Sequence, residues 1–167
     1  PQFNSLLEIP FGSDINIDIL KSEYIDFDLS DNGYYNQIYP NQPSLSKSEI
    51  SKNIPLVYDQ SVYTSNEFIN NQIANVVDKG IMRSIQIGNL MVSPFNYNPI
   101  AGILRIYTDI KLNVKFNNID YDLNQLMKNK YYSPYFEPIY KSSILDYGLL
   151  DSREDDLIEN NVTYVIV

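Results

Sequence analysis

Histidine, cysteine and tryptophan are all missing from this sequence of 167 residues. Without cysteine there is no disulfide, no thiolate metal site and no cysteine nucleophile. Without histidine the usual general base, the usual zinc ligand and the side chain that titrates near neutral pH are gone as well. Ser–His and Cys–His catalysis are therefore impossible within these residues. A carboxylate pair or a serine–lysine pair survives on paper, but Glu8, Glu23, Glu49 and Glu67 show no pairing that sequence reveals. Positive charge is also scarce: 12 Lys and Arg stand against 21 Asp and Glu, a formal net charge of -9. That balance argues against nucleic acid or an anionic membrane face as partner, since both are met by basic patches. No apolar run approaches the roughly 20 residues of a spanning helix, so membrane insertion is not expected. The chain opens at Pro1 with no methionine and no signal-like run, the start expected of a fragment or a processed chain.

What is present suits a packed β domain. Hydrophobic residues make up 44% of the chain, enough for a core in a domain of this size. Its aromatics are mostly tyrosine, which favours strands and half-buried surfaces. Residues 14–29 place Ile15, Ile17, Ile19, Ile25, Phe27 and Leu29 on one parity, one long strand or two joined at a bulge near Lys21–Ser22, closed by the "DNG" turn at 31–33. Residues 81–92 change parity between Ile85, Ile87 and Leu90, Val92, which predicts a bulge at Gly88–Asn89. After "SPFNYNPIAG" comes the most regular stretch. Leu104, Ile106, Thr108, Ile110, Leu112, Val114 and Phe116 share one face, and Arg105, Tyr107, Asp109, Lys111, Asn113 and Lys115 share the other. One wet face and one buried face predict antiparallel sheets packed as a sandwich.

The remaining segments are irregular. Residues 40–55 are framed by prolines and rich in serine and lysine, which predicts a loop or a non-pairing extended segment. The tail carries prolines, tyrosines and an acidic cluster, and predicts an extended connector with short helical turns and no core role. "VTYVIV" then ends the chain as a continuous apolar run, suited to a strand buried on both faces of a parallel sheet in a further domain. The predicted organisation is an all-β chain: a sandwich domain over 1–120, a connector over 121–160, and over 161–167 the first strand of a domain that continues beyond.

Candidate chemistry is thin. Asp28, Ser30, Asn32 and Gly33 open like a calcium loop, but Tyr39 stands where the bidentate glutamate belongs, so a polar turn is the better reading. Asp151, Glu154, Asp155 and Asp156 supply carboxylates for a loose calcium site; as linker residues they are ordinary solvated acids, which is preferred, and no other cofactor is expected. Arg153 is an exposed basic residue between two predicted domains, where proteolytic cutting concentrates. "YYSPYF" (131–136) has the composition of a carbohydrate-stacking platform, although tyrosines beside prolines more often pack a connector onto its neighbour. An adhesin-like or carbohydrate-binding β module of an exported bacterial protein is the rival class.

Four blocks in order carry a resemblance: "YPNQPSLSKSE", "VYTSNEFI", "MRSIQIGNLMVSPFNYNPIAGILRIYTDIKLNVKF" and "SPYFEPIYKSSILDY". Over residues 36–147 the chain resembles the propeptide of the gingipain family, the caspase-fold cysteine peptidases of Bacteroidota-type bacteria. The resemblance implies a β-sandwich that is not itself an enzyme, that assists folding, and that keeps a downstream cysteine endopeptidase latent by covering its cleft with a basic side chain in the specificity pocket. "TYVIV" looks like the first strand of the catalytic domain, and the catalytic cysteine and histidine would lie beyond Val167. The implied partner is the cognate caspase-fold peptidase domain. The implied location is secreted or cell-surface, through the periplasm and the type IX route. For the pocket-filling side chain Lys52 is preferred, then Lys47, both in the proline-flanked loop; Arg83 matches an arginine before the alternating strand, where a solvent or cross-strand role is preferred. Of the family's arginine-rich cleavage region Arg153 alone remains, which makes it the candidate activation site.

Overall fold

The computed structural model describes residues 2–44, 55–69, 72–145 and 147–148, together with the backbone of 161–166. In chain order the elements are β1 (Phe3–Ile9), β2 (Asp14–Asp28), α1 (Gln60–Tyr63), β3 (Ala74–Met82), β4 (Ile85–Val92), β5 (Phe95–Asn98), β6 (Ile103–Asn117), α2 (Tyr121–Tyr131), α3 (Glu137–Ser143) and β7 (Asn161–Ile166). One sheet has the order β1-β4-β3; the other has the order β2-β6-β5, with β7 also paired to β6. Two compact units result. The first comprises Pro1–Tyr24, Gln72–Pro94 and Tyr107–Val167, and the second Ile25–Asn71 and Phe95–Ile106.

In the first unit both neighbours of β4 run antiparallel to it. Ion pairs Asp18–Lys115 and Lys21–Asp109 join β2 to β6, and the partner numbers fall as the others rise, as antiparallel neighbours require. One core lies between the sheets: Leu7, Ile9, Ala74, Leu90 and Val92 meet Ile110, Leu112, Val114 and Phe116, with Ile15 and Ile17 packed against them. This is the expected antiparallel sandwich, and Ile110, Leu112, Val114 and Phe116 are buried as predicted, although Asn113, from the expected outer set, is buried as well. The alternation does not extend through the whole of β6. Tyr107, from the expected outer set, packs against the core, whereas Thr108, from the expected inner set, is exposed. The two-residue period is broken near Thr108, and Leu104 and Ile106, which belong to the second unit, are only half-buried.

The parity change in β4 has a different cause from the expected bulge. Pairing with β1 is continuous through Leu7↔Gly88 and Leu6↔Asn89. Instead β4 buries opposite faces at its two ends: Leu90 and Val92 enter the sandwich core, and Ile85 and Ile87 enter a second cluster with Tyr140 and Ile144. Gly88 sits on the sandwich face because an added Cβ would collide with the Ile9 side chain. The register shift occurs in the partner strand instead, between Asp78 and Gly80, where Gly80 takes φ 109° and donates its N–H to Asp78 Oδ1 at 2.7 Å.

The tail is likewise more ordered than its composition suggests. Asp120 caps α2 by accepting from Leu123 N at 2.9 Å, and Asn124 Oδ1 accepts from Phe11 N at 3.0 Å. In α3 Tyr140 is fully buried, and its hydroxyl donates to Met82 O at 3.1 Å. Leu145 N donates to Leu6 O at 2.9 Å, beside a parallel bridge between Leu6 and Ile144. The β7 backbone pairs antiparallel with β6, from Ile110↔Ile166 to Lys115↔Asn161. The expectation of a connector with no core role is therefore corrected for the described residues up to 145, and that of a terminal strand in a parallel sheet for the backbone of 161–166. The physical reason is that both the outer face of β4 and the free edge of β6 present groups that need covering.

In the second unit β5 and the start of β6 form an antiparallel hairpin, from Phe95↔Ile106 to Asn98↔Ile103. Arg105 makes a two-pronged ion pair with Asp26 at 2.7 and 2.8 Å, and its guanidinium lies 4.3 Å from the centre of the Phe68 ring. The expected turn after β2 is present. Asp28 Oδ1 accepts from the Ser30 hydroxyl at 2.7 Å and from Ser30 N at 2.8 Å, so this carboxylate is occupied by its own turn.

Leu112→Ala should lower unfolding free energy by about 2–5 kcal/mol and Tyr140→Ala by about 3–5 kcal/mol, measured by urea denaturation. A Tyr140→Ala loss below about 0.5 kcal/mol, the level of an ordinary surface change, would remove α3 from the core.

Candidate functional site: a pinned loop and an arginine hairpin

The described ends of the proline-framed segment, residues 40–44 and 55–57, meet in the second unit. Gln42 Oε1 accepts from Val57 N at 2.8 Å, and Gln42 Nε2 donates to Val57 O at 3.2 Å and to Pro40 O at 2.8 Å. The side-chain amide thus stands in for a missing peptide neighbour and holds together two backbone positions fifteen residues apart. Beside it the rings of Tyr39, Tyr58 and Tyr63 form a triangle with centroid separations of 5.0, 5.2 and 5.1 Å. The Tyr63 hydroxyl donates to Ile38 O at 2.8 Å, which ties the outgoing strand of the loop to α1. Burial raises the Tyr63 pKa, so its hydroxyl stays protonated and remains a donor. Helix α1 is capped by Asp59, which accepts from the Ser61 hydroxyl at 2.6 Å and from Ser61 N at 2.9 Å.

Lys47 and Lys52 belong to the loop that this base closes, and both lie outside the described residues, as do Arg153 and the acidic set Asp151, Glu154, Asp155 and Asp156. Among the described residues no group of three or more Asp, Glu, His or Cys is placed to hold a metal ion, and no helix is long and apolar enough to cross a membrane.

Arg83 lies in the first unit, in the two-residue turn between Met82 and Ile85. Its backbone takes φ 56°, a left-handed value that costs a non-glycine residue about 1–2 kcal/mol. The guanidinium lies 4.2 Å from the centre of the Phe136 ring, so the hairpin is pinned toward α3 by a cation–π contact. Glu137, next in sequence, accepts from the Tyr147 hydroxyl at 2.7 Å, and this bond, ahead of Lys141, lowers its pKa.

Sequence reading marked the prolines but missed Gln42, the tyrosine triangle and Phe136. Nothing in the local pattern of "YPNQP" or "LVYDQSVY" tells that one amide reaches across to the other segment.

Two measurements check this geometry. Arg83→Gly should be about 1 kcal/mol more stable than Arg83→Ala in urea unfolding, because both lose the ring contact and only glycine relieves the backbone; equal stability would show that Arg83 is unstrained. The Ser61 hydroxyl, then its amide, holds the Asp59 carboxylate below the ordinary aspartate range. A depressed folded value means that the cap is in place above the ordinary value of about 3.9 and is lost as pH falls through the lower folded value. The Ser61 amide proton shift should therefore titrate with a midpoint below about 3.9; a midpoint at or above it would show that the cap does not form.

The sequence matches a family model described as Propeptide_C25 over residues 1–147. Lys-gingipain of Porphyromonas gingivalis is 28% identical over 141 residues, covering 84% of this chain and 8% of that protein. Gingipain R2 of the same species is 33% identical over 131 residues, covering 78% of this chain and 18% of that protein. This chain therefore spans less than a fifth of either relative. Among solved structures, the complex of the pro- and mature domains of Porphyromonas gingivalis RgpB aligns with a TM-score of 0.65 at 26% identity, over 88% of this chain and 70% of that one. A structure described as giving insight into zymogenic latency of gingipain K from the same species aligns with a TM-score of 0.57 at 25% identity, over 70% of this chain and 63% of that one. These matches favour the propeptide over the adhesin-like alternative, and they extend the resemblance back through β1 and β2. The chain belongs to the Propeptide_C25 family, the propeptides of gingipain-type cysteine peptidase precursors.

Proposed function

We propose that this chain keeps a downstream gingipain-like cysteine endopeptidase latent and assists its folding. The observation that carries the reading is the pinned base of the loop containing Lys47 and Lys52. One side chain joins the described ends of that segment, so both ends are held on the β scaffold, as a segment offered to a cleft requires. Family membership and likeness to a structure of a pro- and mature-domain complex support the same reading. On this reading Lys52 enters the specificity pocket, with Lys47 as second choice. Arg83 ranks last, because its guanidinium already lies against Phe136. The sandwich over 1–120 supplies the scaffold with α3 packed on it, the connector that runs to residue 160 joins it to the peptidase, cutting at Arg153 releases it, and residues 161–167, whose backbone pairs with β6 over 161–166 in this chain, begin the catalytic domain. The precursor would leave the cell through the periplasm and the type IX route and act as a secreted or surface peptidase.

Inhibition would draw on a broad complementary face and on this one extended loop. A standard interface buries about 1,600 Å² in total, and a few anchors carry most of its energy. Added in trans, the chain should inhibit the mature peptidase of its own precursor. Lys52→Ala should weaken inhibition by about 2 kcal/mol, roughly thirtyfold, without changing urea unfolding. An unchanged inhibition constant would transfer the role to Lys47 and then to Arg83. Absence of binding at micromolar concentration would end the latency reading.

A further inference from the structure

Strand β2 lies at one edge of its sheet, with β6 on one side and no strand on the other among the described residues. It runs for 15 residues without a proline or a glycine. Such an edge offers unpaired N–H and C=O groups to any extended segment that meets it. Within it Ile19, Leu20, Tyr24 and Ile25 are all exposed, four large apolar side chains in a stretch of seven. That stretch, "ILKSEYI", is also complementary to its own reverse. With Ser22 at the centre, isoleucine mirrors isoleucine, leucine mirrors tyrosine and lysine mirrors glutamate.

We infer that β2 is a self-association edge, to which a second copy of this chain pairs antiparallel about a two-fold axis through Ser22. On one face of the joined strands Ile19 meets the second copy's Ile25, and Lys21 meets its Glu23. On the other face Leu20 meets the second copy's Tyr24, and Ser22 meets its own counterpart. Lys21 already binds Asp109 and Glu23 of its own chain, so two lysines and two glutamates alternate in sign around the axis. The register is specified by the same charges. A two-fold axis perpendicular to the sheet keeps each side chain on its own face, so the axis passes through a residue and moves in whole steps. One step either way sets Lys21 opposite Lys21 or Glu23 opposite Glu23, and like charges directly opposite destabilise a strand pair. Beyond the seven residues Asp18 would stand opposite Asp26, which limits the paired length even though Lys115 and Arg105 already hold these carboxylates. A pair of seven-residue strands falls short of the about 1,200–2,000 Å² of a stable interface, so the dimer is weak, half-formed near about 100 μM. This association goes beyond the latency reading and does not rest on it.

The test follows the 167-residue chain by sedimentation equilibrium from about 1 to about 500 μM. The parent should pass from monomer to dimer across this range. Lys21→Glu and Glu23→Lys should each dimerise at least about tenfold more weakly, because each sets like charges opposite one another twice. An equimolar mixture of the two should return to within about threefold of the parent, since every glutamate then meets a lysine. Glu23→Lys also reduces the net negative charge, so general repulsion between acidic chains would make it dimerise better than the parent, the opposite result. The chain has no cysteine, which makes a linking test clean. Ser22→Cys should form a disulfide-linked dimer under mild oxidation at least about tenfold faster than Asn16→Cys, whose two thiols lie about 40 Å apart in this register. A parent that stays monomeric throughout overturns the inference. So does a dimer indifferent to either charge change, a mixture that does not recover, or equal linking by the two cysteine variants. Should Lys21→Glu fail to fold without its Asp109 contact, as read by urea unfolding, Glu23→Lys and the two cysteine variants decide by the same criteria.

Discussion

Two sheets of the first unit are held together by alternate side chains from the middle of β6. Ile110, Leu112 and Val114 are almost wholly removed from water and meet Leu7, Ile9, Leu90 and Val92 from the facing sheet. Each such side chain contributes about 1.5–3 kcal/mol relative to exposure, so a few of them outweigh every surface ion pair on β2 and β6. The pairs Asp18–Lys115 and Lys21–Asp109 mark the direction of pairing more than they hold it. A slip of one residue in β6 would expose the whole set at once, and the register of this unit follows from that constraint.

Strand β4 shows how one element can serve two cores without a bulge. Its odd residues Ile85 and Ile87 face α3, and its even residues Leu90 and Val92 face β6. Gly88 sits between them, where the Ile9 side chain occupies the space a Cβ would need. The second cluster then recruits Tyr140, whose hydroxyl finds Met82 O, and the arginine turn at residue 83 settles over Phe136. The segment after the sandwich is thus a packed part of the first unit up to Ile144. It is more than a tether.

In the second unit polar bonds do what apolar burial does in the first. Arg105 with Asp26, Asp28 with its own turn, Asp59 with Ser61 and Gln42 with Val57 each satisfy backbone or charge where there is little core to bury. Individually such bonds are worth only about 0.5–1.5 kcal/mol. Their value here is geometric, since one ties β2 to β6 and the others fix a turn, a helix cap and the described ends of a connecting segment. That suits a unit whose part in the proposed latency is to present a loop.

Much of this was legible in the residues themselves. The lack of histidine and cysteine excluded ordinary nucleophilic catalysis, the apolar residues spaced by two over 110–116 named the core face of β6, and "DNG" marked the turn after β2, because these follow from side-chain chemistry and local backbone preference. Family-specific blocks, read in order, pointed to a propeptide. Other features depended on residues far apart in sequence. Whether Ile85 and Ile87 formed a bulge or a second face depended on Tyr140, more than fifty positions away, and no local period records such a partner. The same holds for Gln42, which looks like any loop glutamine until Val57 is brought within 2.8 Å of it. Periodicity tells which side chains leave water together. Only the folded chain tells what they meet.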